Sequence, residues 1–206
     1  MPVALVAGAP LYLAVHPKIP VNSLQEFIAY AKARPGVLNY GSSGVGSTHH
    51  LTMEALKAAL GLDLKHIPFK GSGQSVPTLI GGQVEVAFAA LPPLSGFVKN
   101  GQVKLLANGA QRSSQAPNVP AIAEVIPGFD FAPIIGVFAS RGTPTAAVER
   151  LSAELAWVAR QPEVIAQLNN LGVDAASASP ADYGRAVQDE NERFAKAITA
   201  ASIKPE

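Results

Sequence analysis

The sequence predicts an α/β fold with mainly parallel sheets. Three observations lead there. Short β-prone runs alternate with stretches of helical periodicity between Ser23 and Asn108, and several of these runs pass into the next helix through glycine- and serine-rich loops. Hydrophobic residues make up 48% of the 206 positions against 15% charged, enough apolar material for one large domain or two small ones. Strands separated by helices need crossover connections, which make neighbouring strands parallel and cover both faces of the sheet.

The opening run, Val3 to Val15, is apolar but broken by Gly8 and Pro10, with no basic residue before it. It reads as two buried strand segments, and neither as a signal peptide nor as a membrane span. Ser23 with Glu26 three residues on makes a capping box. Leu24, Phe27, Ile28 and Ala31 follow at helical spacing until Pro35-Gly36, so a helix is expected over residues 24–34. A strand at 37–40, a loop, and a helix at 48–60 with Leu51, Ala55, Leu56 and Ala59 on its apolar face come next. The same grammar returns as strand 64–69, loop 70–73 and helix 74–80, then a Gly81-Gly82 turn into strand 84–88. Helix 93–100 and strand 104–108 continue it. Residues 111–133 are rich in Pro, Asn and Ser, with a brief helix near Ala121, and resemble a crossover between lobes. Strand 134–139 leads to Thr143 as N-cap and Pro144 in the first turn of a helix to about Arg160, with Leu151, Leu155 and Val158 facing inward. Two further helices cover 162–171 and 180–201, the second capped by Ser179 with Asp182 three residues on.

Composition excludes several functions. Sixteen basic residues against fifteen acidic ones leave a net charge of +1, with no electrostatic footprint for nucleic acid or an anionic membrane. The absence of cysteine excludes disulfides, thiolate catalysis and cysteine-bound metals.

The segment with most chemical content is Tyr40-Gly41-Ser42-Ser43-Gly44-Val45-Gly46-Ser47-Thr48-His49-His50. Glycines let backbone approach a ligand, hydroxyls donate hydrogen bonds, and the following helix directs its first N–H groups at whatever sits there. Lys70-Gly71-Ser72-Gly73 repeats the arrangement after the next strand. If the two strands are neighbours, both loops open at one sheet edge and suit a ligand with a carboxylate. The plainer alternative is a pair of tight strand-to-helix turns, which every α/β protein needs. Nucleotide motifs fail at specific residues. Ser47 stands where a P-loop has lysine, and His49 where the dinucleotide fingerprint has its third glycine. The adjacent His49 and His50 point about 100° apart on a helix and cannot chelate one ion as an i, i+4 pair would, so one is expected to pack and the other to face solvent. Val45 spoils a G-x-S-x-G elbow at Ser43. Lys70 could pair with a carboxylate but is more simply solvated, and Trp157, Tyr183 and Phe194 read as core or surface aromatics. Nothing points to a metal or another cofactor.

Residues 38–51, the run His66-Ile67-Pro68-Phe69-Lys70-Gly71-Ser72-Gly73 and Gly81-Gly82-Gln83-Val84 together resemble the solute receptors of the Bug family of tripartite tricarboxylate transporters. So do Asn118-Val119-Pro120, Pro127-Gly128-Phe129, Gly142-Thr143-Pro144 and the terminal Ile203-Lys204-Pro205-Glu206. The resemblance spans nearly the whole chain in order. It implies a type II periplasmic-binding-protein fold of two lobes with mainly parallel sheets, a periplasmic location, a small carboxylate ligand (a dicarboxylate, amino acid or aromatic acid) and membrane transporter components as partners. Carried over by position, Ser42, Ser43, Gly46, Ser47 and Thr48 would face the carboxylate, and Gly71, Ser72, Gly73, Ala89 and Ala90 would complete one wall. Relatives often place a polar residue, commonly Asp, where this chain has Ala89-Ala90, which argues against an amino-group contact.

Family members are longer at the N-terminus, so the first lobe is expected to be incomplete: residues 14–132 would form lobe two, and 1–13 with 133–206 the remainder of lobe one. On that expectation binding is weak, and self-association through the uncovered first lobe follows from exposed apolar faces after Ile134. The functional reading is therefore a non-enzymatic carboxylate receptor. Its alternatives are an interaction module with no tight ligand and, third, a small hydrolase or transferase.

Overall fold

The computed structural model describes residues 1–109 and 111–203. Ala110 and Lys204–Glu206, the last carrying part of the family resemblance, lie outside the described residues. The chain divides into two compact units, Met1–Pro10 with Ala132–Arg193, and Leu11–Phe131 with Phe194–Glu206.

Along the chain the elements are β1 (Pro2–Gly8), β2 (Tyr12–Val15), α1 (Leu24–Lys32), β3 (Asn39–Ser42), α2 (Thr48–Leu60), β4 (Lys65–Pro68), α3 (Ser72–Ile80) and β5 (Val86–Ala89). Then come α4 (Ser95–Lys99), β6 (Lys104–Asn108), a 3-10 turn at Ile122–Glu124, β7 (Ile134–Phe138), α5 (Thr145–Val158), α6 (Pro162–Asn170), β8 (Asp174–Ala178) and α7 (Pro180–Ala200).

The larger unit is built on a five-stranded sheet in the order β4-β3-β5-β2-β6. β3 runs parallel to both β4 and β5, whereas β2 is antiparallel to β5 and β6. Period-two alternation sorts its side chains. Leu13 and Val15 of β2 and Val86 and Phe88 of β5 enter one buried cluster with Phe27 of α1 and Met53 and Leu56 of α2. Ala14, Ala87 and Ala89 enter the other with Val76 and Leu79 of α3. Helices thus cover both faces, as the alternation of elements predicts. At the start of α1 the Ser23 hydroxyl accepts from the Glu26 N–H at 3.1 Å, while the Glu26 carboxylate accepts from the Asn22 N–H at 2.7 Å, one residue earlier than the standard reciprocal bond. Phe194 lies with this unit, its ring 5.6 Å from Phe131 in an edge-on contact.

The smaller unit holds a three-stranded sheet, β7-β1-β8, in which each neighbouring pair is antiparallel. β7 and β8 point the same way, as strands joined by the α5–α6 crossover should, but β1 lies between them in reverse. The expectation of mainly parallel sheets therefore fails in this unit. Gly136 of β7 sits under the Tyr183 ring, which itself packs 5.0 Å from Phe138. Ser179 caps α7 by accepting from the Asp182 N–H at 3.2 Å.

Several local expectations need correction. Strand β3 begins two residues later than 37, because Val37 is drawn into a turn by its N–H bond to the Arg34 carbonyl. Ala59 is exposed, and the buried face of α2 is carried by His50, Thr52 and Met53 beside Leu51, Ala55 and Leu56. The helix expected from 74 starts at Ser72, so Ser72 and Gly73 form its first turn instead of a loop. Pro144, not Thr143, is the N-cap of α5, and the Thr143 hydroxyl donates to the Ser140 carbonyl at 3.0 Å. Leu151, at 48% exposure, and Val158 are uncovered, and Val148 is the buried residue of α5.

Candidate functional site

Because β4, β3 and β5 are parallel neighbours, their carboxyl ends lie side by side, and the segments after Ser42, Pro68 and Ala89 leave the same edge of the sheet. The middle loop is the most elaborated. Gly44 and Gly46 take positive φ values of 125° and 75°, where an L side chain would be strained. Ser47 caps α2: its hydroxyl accepts from the His50 N–H at 3.3 Å and donates to the Gly44 carbonyl at 2.8 Å. The Ser42 side chain, 1% exposed, is turned inward, accepting from the Gly44 N–H at 3.1 Å and lying 2.6 Å from Nε2 of His66. Ser43 Oγ lies 3.1 Å from Nδ1 of His49.

The second loop is stitched to the first. The Phe69 N–H donates to the Ser42 carbonyl at 3.1 Å and the Gly71 N–H to the Ser43 carbonyl at 3.2 Å. Gly71, with φ of 101°, then opens α3 without a side-chain cap. Two helices therefore begin at this edge. Among the described residues no internal partner takes the N–H groups of Thr48 and His49 in the first turn of α2, or of Ser72 and Gly73 in the first turn of α3. Such groups, with the positive ends of their helices, favour an anionic oxygen.

Behind the first loop lies a stack of rings. Tyr40 of β3 and His66 of β4 are register partners, with ring centroids 4.8 Å apart, and His66 stacks on His50 of α2 at 3.9 Å and 7°. The Tyr40 hydroxyl donates to the Glu54 carboxylate, which Lys57 pairs at 2.6 Å. Burial is the main cause that drops the His66 imidazole to about 4; His50 and Lys57 add to it and Glu54 opposes. Burial also lowers His50, with Glu54 opposing and Lys57 adding, and lowers His49. Both rings in the stack are neutral near neutral pH.

The residues singled out from sequence are thus brought together unevenly. Ser43, Gly46, Ser47, Thr48, Gly71, Ser72 and Gly73 gather along the loop edge. Ser42 is consumed in holding the loop. Ala89 is buried at 2% exposure in the second core cluster, and the half-buried Ala90 follows at the end of β5. Lys70 is exposed. The expectation that one histidine of the pair faces solvent is corrected by the His49 contact with Ser43. Sequence reasoning missed Tyr40, His66 and Glu54, whose signal was the opposition of Tyr40 and His66 across two parallel strands. It also missed an apolar cavity of about 570 Å³ lined by Val76, Pro77, Ile80, Pro93 and Phe97, with Ser72 and Gly73 at its wall. Among the described residues no three His, Cys, Asp or Glu side chains gather as a metal-binding group.

A family model described as the tripartite tricarboxylate transporter family receptor matches residues 1–203. The protein BugT of Bordetella pertussis is 31% identical over 208 residues, which cover 99% of this chain and 64% of BugT. A Rhodopseudomonas palustris protein solved with adipate is similar with a TM-score of 0.82 and 33% identity, over 100% of this chain and 69% of that one. MatC of the same organism, solved with bound malate, gives a TM-score of 0.76 and 29% identity, over 96% and 69%. The chain spans 64% of the length of BugT and 60% of that of another curated relative.

Proposed function

The chain belongs to the tripartite tricarboxylate transporter receptor family, and on that premise we propose that its loop edge captures one carboxylate group of a small acid, a dicarboxylate first among candidates. The observation that carries this reading is the pair of helix starts on one sheet edge, whose four uncommitted N–H groups lie beside the hydroxyls of Ser43, Ser47 and Thr48. Gly46 lets a ligand reach the backbone, and Ala89 and Ala90 supply no partner for an ammonium group, which favours acids without one. The ligands in two similar structures, adipate and malate, support the class. The chemistry is reversible binding without turnover, delivery is to membrane components of a transporter, and the compartment is the periplasm.

A thermal-shift series over mono-, di- and tricarboxylates tests this. At 100 times Kd a ligand of the native state stabilises by about 2.7 kcal/mol, which raises Tm by roughly 5 to 10 °C. Adipate and malate should produce that rise. No response to any carboxylate would reject the reading.

The exposed apolar side chains of the smaller unit favour a second reading, an interaction module. Trp157 and Leu151 of α5 and Phe138 of β7 are 62%, 48% and 55% exposed. Large apolar side chains left exposed in this way promote self-association. Light scattering between micromolar and millimolar protein should show mass rising with concentration, and Trp157→Glu with Leu151→Glu should reduce it. A monomer at every concentration would remove this reading.

A further inference from the structure

We infer that His50 and His66 are positioning residues that hold the carboxylate loop in shape, with the Nδ1 lone pair of His50 as the acceptor that fixes the Gly46 N–H. The inference rests on reading residues 42–48 as the carboxylate site. His50 occupies the third position of α2, where a capping box places Glu or Gln to reach back to a backbone N–H while the N-cap side chain bonds the third N–H. Here the first half is present and the second is shifted by one residue, from the Ser47 N–H to that of Gly46. Ser47 Oγ accepts from the His50 N–H, and His50 Nδ1 accepts from the Gly46 N–H at 3.0 Å. An imidazole adds what a carboxamide does not, a flat ring that stacks on His66. His66 in turn reaches Ser42 Oγ at 2.6 Å, and Ser42 holds the Gly44 N–H. The two rings thus grip the loop at Gly44 and at Gly46, the two glycines with positive φ, from beneath.

The loop's shape therefore depends on charge. A proton on Nδ1 of His50 converts the acceptor into a donor facing the Gly46 N–H, and two protonated rings 3.9 Å apart repel. The titratable or charged groups facing the pair are Tyr40 from β3 and Glu54 and Lys57 from α2. Burial holds both imidazoles below the ordinary 6.5, His66 at about 4. The unfolded chain takes up these protons first as pH falls, so their contribution to stability is whole above about pH 6.5 and is lost on descent toward pH 4.

The test uses the ligand-free chain and adipate as probe. Exchange of the Gly46 amide is followed by NMR, and adipate affinity by calorimetry, for wild type, His50→Gln and His50→Phe at pH 7 and across pH 7 to 4.5. His50→Phe keeps the stack but removes the acceptor, so Gly46 exchange should rise and adipate affinity fall, each by roughly tenfold. His50→Gln, which restores an acceptor at the third helical position, should stay within about threefold of wild type. Affinity of the wild type should also drop more steeply toward pH 4.5 than that of His50→Gln, titration of adipate itself being common to both. Unchanged Gly46 exchange in His50→Phe, or identical pH profiles for wild type and His50→Gln, would overturn the inference. If His50→Phe does not fold, the pair of pH profiles decides alone. If the wild type binds no adipate, the ligand reading fails, while Gly46 exchange still decides whether His50 positions the loop.

Discussion

Replacing Ser47 and Thr48 together with alanine should weaken adipate binding at least about tenfold, because the Thr48 hydroxyl is lost to the ligand's carboxylate and the loop that Ser47 holds is loosened. A hydrogen bond to a charged group contributes roughly 1.5 to 3 kcal/mol, or about one to two decades of affinity. Ser47 acts through the loop, its one hydroxyl proton being committed within it. It caps α2 and ties the Gly44 carbonyl at 2.8 Å, so its loss also loosens the loop. The stability cost should be near 1 kcal/mol, that of a lost helix cap, leaving the fold cooperative. Affinity and stability therefore part company in this variant: denaturant midpoints move little while calorimetric affinity falls steeply. A purely structural turn would give the stability loss with adipate affinity unchanged.

Gly136→Ala should destabilise the smaller unit by about 3 kcal/mol or more, beyond the usual cost of a surplus methyl group in a packed core. A Cβ at this position would lie 2.4 Å from Cζ of Tyr183 and 2.6 Å from the Ala4 carbonyl oxygen. Rotating Tyr183 relieves the first contact only at the expense of its packing on Phe138. The second involves backbone of β1, which pairs with β7 through Leu5 and Gly136, so relief there opens the ladder. Gly8→Ala is the control, because a Cβ there meets nothing within 4 Å. Chemical denaturation should separate the two variants clearly, and equal stabilities would refute the packing argument.

The legible parts of the fold were those decided within a few residues. Ser23 with Glu26, Ser179 with Asp182 and the start of α2 at Thr48 follow from capping chemistry, and strand Lys104–Asn108 from its β-prone run between turns. Features set by pairing across the chain were not. Nothing local to Tyr12–Val15 says that it enters between β5 and β6 in reverse, because strand direction depends on which neighbours accept it. The periodicity of α5 marks an apolar face at Leu151 and Val158 without saying what, if anything, covers it. The same holds for the site. The glycines and hydroxyls of residues 41–48 announce close backbone approach, whereas the inward turn of Ser42 depends on His66, twenty-four residues later, arriving on the adjacent strand. The third position of His50 was readable as a capping position, but histidine is not the usual residue there, and its acceptor role emerges only with the ring stacked on His66.

The decisive observation is where a bound acid perturbs the backbone. In a titration of the ¹⁵N-labelled chain with adipate, the amides of Gly46, Ser47, Thr48 and His49 should shift together with those of Ser72 and Gly73, along one saturation curve. On the proposed reading one carboxylate meets both helix starts, so their responses should share one Kd. Saturable shifts confined to other residues, with both helix starts silent at saturating adipate, would contradict capture at this edge.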